Sequence, residues 1–319
     1  MRIGLIDVDN ARLKKPKFPN IALMKISAWH KTQGDHVEWW NGLEYYDRVY
    51  MSKVFSEEYT PDMEFIIQAD EVIRGGSGYC IETIDGVENW RPEMGNDLPE
   101  EIEHIFPDYS LYPELTKDTA YGFLTRGCPR GCHFCIVAGK EGRRSRKVAD
   151  LGEWWNGQQK IVLMDPNILA YKGHMDLLGQ LADSKAWVDI NQGVDSRLLT
   201  PTNVDAINAI KVKNIHFAWD YMKEEKAVLQ GLELYRNLAR KKIKSGKWGS
   251  VYTLTNYDTT MEENLYRIYT LRDMNYNPYV MIYNKPNAPR EIRLLQRWCN
   301  NKRIFNKCPR FEDYDERMG

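Results

Sequence analysis

No window of this 319-residue sequence approaches the roughly 18 consecutive apolar residues that a membrane-spanning helix requires, so no membrane association is expected. The opening MRIGLIDVDN does not read as a signal peptide. Its short apolar run is broken by Asp7 and Asp9, and no apolar core of signal length follows. Cysteine is scarce as well: there are six, three of them packed into positions 128–135, which is not the layout of a secreted disulfide framework. These absences predict a cytoplasmic protein whose clustered thiols serve metal binding or catalysis. Short internal repeats and low-complexity segments are also missing.

The residues that are present, 43% hydrophobic and 28% charged, are those of a globular chain long enough for one large domain or two ordinary ones. The net charge of −1 conceals a division. Residues 1–116 carry 11 Lys and Arg against 22 Asp and Glu, and the remainder carries 33 against 23. Two readings follow: the halves attract one another as neighbouring domains, or the basic half meets an anionic partner such as nucleic acid, a phosphorylated substrate or an acidic electron carrier.

Apolar periodicity predicts a strand over Arg2–Val8, a helix from about Ile21 to Gln33 stopped by Gly34, and short strands in HVEWW, DRVYMS and EVIRGG, which together suggest a small open α/β layer. An acidic, Pro-containing stretch over residues 86–116 reads as a linker laid over the surface. From Tyr121 the alternation becomes regular. YGFLTRG, KIVLMDP, WVDINQGV, NIHFAWD, SVYTLTNY and PYVMIYN read as strands separated by helices such as HMDLLGQLAD, TPTNVDAINAI, EEKAVLQGLELYRNLARKKI and MEENLYRIYTLRDM. Strand-then-helix units in succession imply a parallel sheet, whose active site in βα barrels is built on the loops that follow the strands.

The first such loop contains RGCPRGCHFC, with Cys128, Cys132 and Cys135. Metal sites that only brace a fold usually close all four tetrahedral positions, whereas a missing ligand leaves a place for chemistry. Three thiolates can hold three irons of a four-iron cluster, with Gly127 and Gly131 easing the backbone around it. Zinc is the competing reading, with His133 as a fourth ligand, but zinc knuckles favour two distant CxxC pairs and no second pair exists. Cys80, Cys299 and Cys308 read as buried or half-buried thiols.

CxxxCxxC with the aromatic Phe134 before its last cysteine resembles the signature of the radical S-adenosylmethionine (SAM) superfamily. The likeness covers residues from about 117 to 290. It implies an α/β fold with a partial (β/α)6 barrel, a [4Fe-4S] cluster on Cys128, Cys132 and Cys135, and SAM chelated to the open iron. It also implies a flavodoxin or ferredoxin-type electron donor and reductive cleavage to a 5′-deoxyadenosyl radical that abstracts a substrate hydrogen. By their place at strand ends, Asp165 and Asn167 stand where such enzymes receive the SAM amino group, although LMDPN replaces the common Gly-Gly-Glu. Gln192, Asp195, Arg197 and Asp220 stand where the carboxylate or ribose is held. Asp195 and Asp220 have a second reading as helix caps.

Residues 1–116, with the glycine turn IRGGSGY, resemble the Rossmann-like cobalamin-binding domain that precedes many radical SAM barrels. The loop DVDNARLKKPKFPN has no His to ligate cobalt, so cobalamin is not expected, and Gly75, Gly76 and Gly78 read as turn residues. The expected organisation is a Rossmann-like domain and linker over 1–116, the radical SAM core over 117–290 and a helical extension over 291–319. The substrate is left open among small molecules, peptides and nucleobases. Methylthio transfer to transfer RNA needs a second cluster, and residues 1–116 contain only Cys80. The basic run Arg143 to Lys147 in GRRSRK could grip phosphate or a nucleic-acid backbone, form a solvated face or dock an acidic flavodoxin. The alternative function is a non-catalytic zinc or iron-sulfur module.

Overall fold

The computed structural model describes residues 1–11, 13, 15–63, 66–84, 87–94 and 97–318. The chain divides into two compact units, one of residues 1–143 with 147–162 and one of residues 144–146 with 163–319. Both are α/β with parallel strands.

In the first unit β1 (Arg2–Asp7), β2 (His36–Trp39), β3 (Tyr46–Ser52) and β4 (Ala69–Gly75) form a parallel sheet in the order β2-β1-β3-β4. The apolar run of β1 suits its central place, because both of its faces are buried. Ile3 and Leu5 pack against Leu23 and Ile26 of helix α1 (Ile21–Thr32), while Ile6 meets Tyr46, Val49 and Met51. Asn20 starts α1 by accepting from the Leu23 N–H (3.1 Å) and ties it to the sheet by donating to Ser52 Oγ (2.8 Å). The glycine turn after β4 closes on backbone. A Cβ on Gly76, whose φ is +93°, would collide with the Lys53 carbonyl, and one on Gly78 with the Phe55 carbonyl. That is the turn role read from the sequence.

The acidic stretch after β4 differs from a surface linker. Its Val87–Trp90 pairs antiparallel with the preceding Ile81–Ile84, it forms single helical turns at Glu100–Glu103 and Pro113–Thr116, and it buries Ile102 and Tyr112. The Tyr112 hydroxyl donates to buried Asp7 (2.5 Å). Prolines and acids dominate its composition, and two spaced anchors are invisible to periodicity. Gly86, Gly95 and Asn96 of this stretch, and Arg12 and Lys14 of the first loop, lie outside the described residues. The unit ends with the neighbouring strands β5 (Thr119–Gly122) and β6 (Lys160–Leu163).

The second unit alternates helix and strand: α2 (His174–Asp183), β7 (Trp187–Ile190), α3 (Pro201–Ala209), β8 (Lys211–Ala218), α4 (Glu225–Leu238), β9 (Ser250–Thr255), α5 (Met261–Asp273) and β10 (Asn277–Ile282). Strands β7 to β10 lie side by side in chain order with parallel registers. No strand pairing closes the sheet into a barrel among the described residues. Helix starts follow local chemistry: Thr200 with Asn203 and Thr260 with Glu263 form reciprocal capping boxes, and Pro201 opens α3.

Two final helices, α6 (Arg290–Asn300) and α7 (Lys302–Lys307), cover β10 and α5 through Leu295, Trp298 and Phe305 against Val280 and Ile268. On the edge strand β10, the Val280 N–H donates to Asn300 Oδ1 (2.8 Å). The Val280 carbonyl accepts from Asn300 Nδ2 (3.0 Å) and Gln296 Nε2 (3.1 Å).

Candidate functional site

The cysteine loop leaves β5 and is shaped by three left-handed glycines, Gly127 (φ +86°), Gly131 (φ +57°) and Gly142 (φ +91°). Its two ends are drawn together where the Cys128 N–H donates to the Gly142 carbonyl (3.1 Å) and the Gly127 N–H to Glu141 Oε2 (2.9 Å). Within the loop the Cys135 N–H turns back to the Cys132 carbonyl (2.9 Å). Cys128, Cys132 and Cys135 are half-buried thiols, Phe134 is half-buried beside them, and His133 is exposed.

Among the described residues no three His, Cys, Asp or Glu side chains gather closely enough to hold a metal ion. Three thiols on a glycine-eased loop are the donor type that a multi-iron cluster takes, but they are not gathered as a metal site here and would have to converge to hold one. The other three cysteines are buried. Burial pushes the Cys299 thiol up to about 12, which makes it a packing group and no nucleophile at neutral pH.

In the second unit the strand ends bring several of the sequence candidates together. Asn167 Nδ2 lies 3.4 Å from Asp195 Oδ2, and Asp195 in turn accepts from Arg197 Nε (2.7 Å) and Nη2 (3.2 Å). The opposite side of the Arg197 guanidinium pairs with Glu224. Asp195 also accepts from the Arg197 N–H (3.2 Å), so it caps the short turn Ser196–Leu198 as well as holding Arg197. Asp165 and Asn167 are buried. Gln192 is exposed, ahead of Gly193 (φ +120°).

Asp220 is not a helix cap. It accepts from the Leu254 N–H of β9 (3.2 Å), and burial pushes its carboxyl up to about 6, opposed by that N–H and by the Arg267 charge. Arg267 itself is fully buried in the middle of α5. It donates to the carbonyls of Trp219 (2.7 Å), Asp220 (2.9 Å) and Leu254 (2.7 Å) and to Asn264 Oδ1 (2.6 Å), and burial lowers it to about 10. One guanidinium thus fastens the ends of β8 and β9 and sets the backbone of Asp220.

A second polar group lies on the open face of these strands. His216 Nδ1 is 3.0 Å from the Ile190 carbonyl, which can only accept, so the proton sits on Nδ1. The imidazole stacks on Tyr252 (centroids 5.1 Å, planes 7° apart), and Asp189 Oδ1 lies 3.9 Å from Nδ1. Burial and the Asp189 charge push the Tyr252 phenol up to about 12.

Sequence reasoning missed Glu224, Arg267, Asp189, His216 and Tyr252. The signal for Arg267 was its place on the α5 stripe, between buried Asn264 and Ile268, where a cation has to have partners.

No protein-family model matches the chain. It is similar to an uncharacterized protein of Methanocaldococcus jannaschii, 24% identical over 201 residues, which are 54% of this chain and 43% of that protein. Over a shorter stretch it is similar to the tRNA-2-methylthio-N(6)-dimethylallyladenosine synthases of Bordetella petrii and Bordetella pertussis. Each is 27% identical over 96 residues, 26% of this chain and 20% and 21% of those enzymes. The chain thus spans less than half the length of these curated relatives. No helix among the described residues is long and apolar enough to cross a membrane.

Proposed function

We propose that this protein is a cytoplasmic radical SAM enzyme, with a small Rossmann-like domain and linker over residues 1–116, a partial (β/α)6 barrel core over 117–290 and a helical extension over 291–319. The observation that carries the reading is the loop after β5, which presents three half-buried thiols around left-handed glycines and brings no fourth cysteine. The short similarity to enzymes that modify adenosine in transfer RNA supports it and favours a nucleobase among the candidate substrates. With Cys80 the sole cysteine of residues 1–116, methylthio transfer itself is not proposed.

In this reading Cys128, Cys132 and Cys135 ligate a [4Fe-4S] cluster, with Phe134 packed beside it. When bound, cluster and SAM supply the one-electron cleavage that gives hydrogen-abstracting chemistry. Asp165 and Asn167 receive the SAM amino group. Gln192, Asp195, Arg197 and Asp220 hold its carboxylate or ribose, and Asp195 and Glu224 fix the orientation of the Arg197 guanidinium. A flavodoxin or ferredoxin-type protein delivers the electron.

Anaerobic reconstitution with iron and sulfide should load one four-iron cluster per chain, and it should fail when all three cysteines are changed to Ala. Under dithionite the loaded protein should release 5′-deoxyadenosine and methionine from SAM, read by chromatography. Asp165→Ala should weaken SAM binding and leave the cluster in place. A full, reducible cluster that yields no 5′-deoxyadenosine at any SAM concentration would decide for a non-catalytic metal module.

A further inference from the structure

Opposite the strand ends just described, the second unit gathers its lysines. Lys185 precedes β7 and Trp187 opens it, and the register sets Trp187 beside Lys211 at the start of β8, with Lys213 two residues on. The segment that leads into β9 is brought to the same place by tertiary contacts. Asn208 of α3 donates to the Leu238 carbonyl (3.0 Å) and accepts from the Arg240 N–H (2.9 Å), which holds residues 240–242 against the end of α3 that runs into Lys211. Farther along, Gly249 packs so closely on Ile215 that a Cβ would stand 3.0 Å from its side chain, so the preceding loop lies along Lys213.

That loop is held in shape. Ile243 is buried, its N–H donates to the Lys247 carbonyl (2.9 Å), and the Trp248 N–H donates to the Asn275 carbonyl (3.2 Å). Lys247 Nζ bonds Asn275 Oδ1 (2.9 Å).

Lys185, Lys211, Lys213, Lys241, Lys242 and Lys244 are all exposed, and none has an ion-pair partner among the described residues. Of the carboxylates near this end, Asp205 is taken by Arg240 (2.6 Å) and Asp189 by Asn214 Nδ2 (2.6 Å). A solvated helix face would present its lysines interleaved with carboxylates, as isolated pairs do elsewhere in this unit at Arg236–Glu233 and Arg290–Glu316. Here the excess of positive charge is concentrated on a braced surface, and two indoles stand in it. Trp187 is 52% exposed on a strand, and Lys242 Nζ lies 4.9 Å from the Trp248 ring centroid. An exposed Trp187 and a half-buried Trp248 among cations without carboxylate partners suit a ligand that offers both phosphates and unstacked bases.

We propose that this strand-start face, Lys185–Trp187, Lys211–Lys213 and Lys241–Trp248, binds single-stranded RNA, with the lysines on the backbone and Trp187 stacked on a base. Neither cluster nor SAM takes part, so the proposal stands or falls separately from the radical SAM reading. Neutralising the RNA phosphates releases counterions, whereas stacking on a base does not.

The test is fluorescence anisotropy of the full chain, without cluster, against a labelled single-stranded oligoribonucleotide of about 20 nucleotides across a salt series. The double variant Lys211→Ala/Lys213→Ala and the triple variant Lys241→Ala/Lys242→Ala/Lys244→Ala should each flatten the slope of log affinity against log salt, by about 0.7 for each phosphate no longer neutralised. Trp187→Ala should weaken binding about tenfold and leave that slope unchanged, with Trp187→Phe recovering most of the affinity. Far-ultraviolet circular dichroism checks that each variant is folded. Salt slopes equal to wild type in both lysine variants would overturn the proposal. So would tighter binding of duplex DNA of equal length, or an acidic flavodoxin that loses affinity in the lysine variants while RNA does not.

Discussion

Strands β7 to β10 carry charge at both ends, and the two ends treat it in opposite ways. Past the final residues of the strands, Asp195, Arg197, Glu224, Asp220 and Arg267 are drawn inward and matched with one another or with backbone. Before the first residues, lysines stand in water without carboxylates. Buried charge has to be satisfied to be tolerated, so it shapes the fold and fixes geometry; exposed charge costs the fold little and acts at a distance on whatever approaches. In the readings proposed above, one end holds a small cofactor in one orientation and the other attracts a polyanion.

The comparison breaks most visibly at Arg267. Arg267→Leu should lower unfolding free energy in urea by about 3–5 kcal/mol, because it strands buried carbonyls at Trp219, Asp220 and Leu254 together. A cost below about 1 kcal/mol would mean that the strand ends hold themselves.

Asp220 comes next. Its folded carboxyl titrates at about 6 against an ordinary 3.8, so the native state binds the proton more tightly than the unfolded chain. The carboxyl's contribution to stability is full below pH 3.8 and is lost as pH rises to 6. Asp220→Asn removes the titration, so urea melts from pH 4 to pH 7 should move the difference in the variant's favour by up to about 2–3 kcal/mol. A pH-independent difference would place the group in water.

Asp195 separates a cap from a charge. Asp195→Ala should cost about 1 kcal/mol, whereas Asp195→Asn keeps the cap and loses only the attraction to Arg197. If SAM binding falls equally in both, the carboxylate charge matters to the cofactor; if it falls only in the Ala variant, the turn does.

The smallest effect belongs to the basic end. Lys211→Ala/Lys213→Ala should shift Tm by no more than about 2 °C, as expected of exposed charges without partners.

Much of this architecture is legible in the sequence. HMDLLGQLAD is α2 residue for residue, and the capping pairs Thr200/Asn203 and Thr260/Glu263 mark helix starts by local chemistry. The exception is instructive: the apolar period of EEKAVLQGLELYRNLARKKI predicts a helix to Ile243, but α4 stops at Leu238. Its stop comes from the Asn208 side chain on another helix, a contact that no local pattern encodes. That early stop is what delivers Lys241 to Lys244 to the basic face. At the site, Asp195 and Arg197 are readable because they share one strand-to-helix turn. Arg267 and His216 stand among several other polar residues in α5 and β8, and only tertiary packing shows what they hold.

Asn300 has a consequence for how this chain behaves in a crowd. A sheet edge is an invitation to another strand, and here a side-chain amide occupies the N–H and carbonyl of Val280 much as a neighbouring backbone would. A chain carrying Asn300→Leu with Gln296→Leu would keep the apolar cover of α6 and offer an unsealed edge. Its defect should appear as self-association that grows with concentration, well before any weakness in the fold itself.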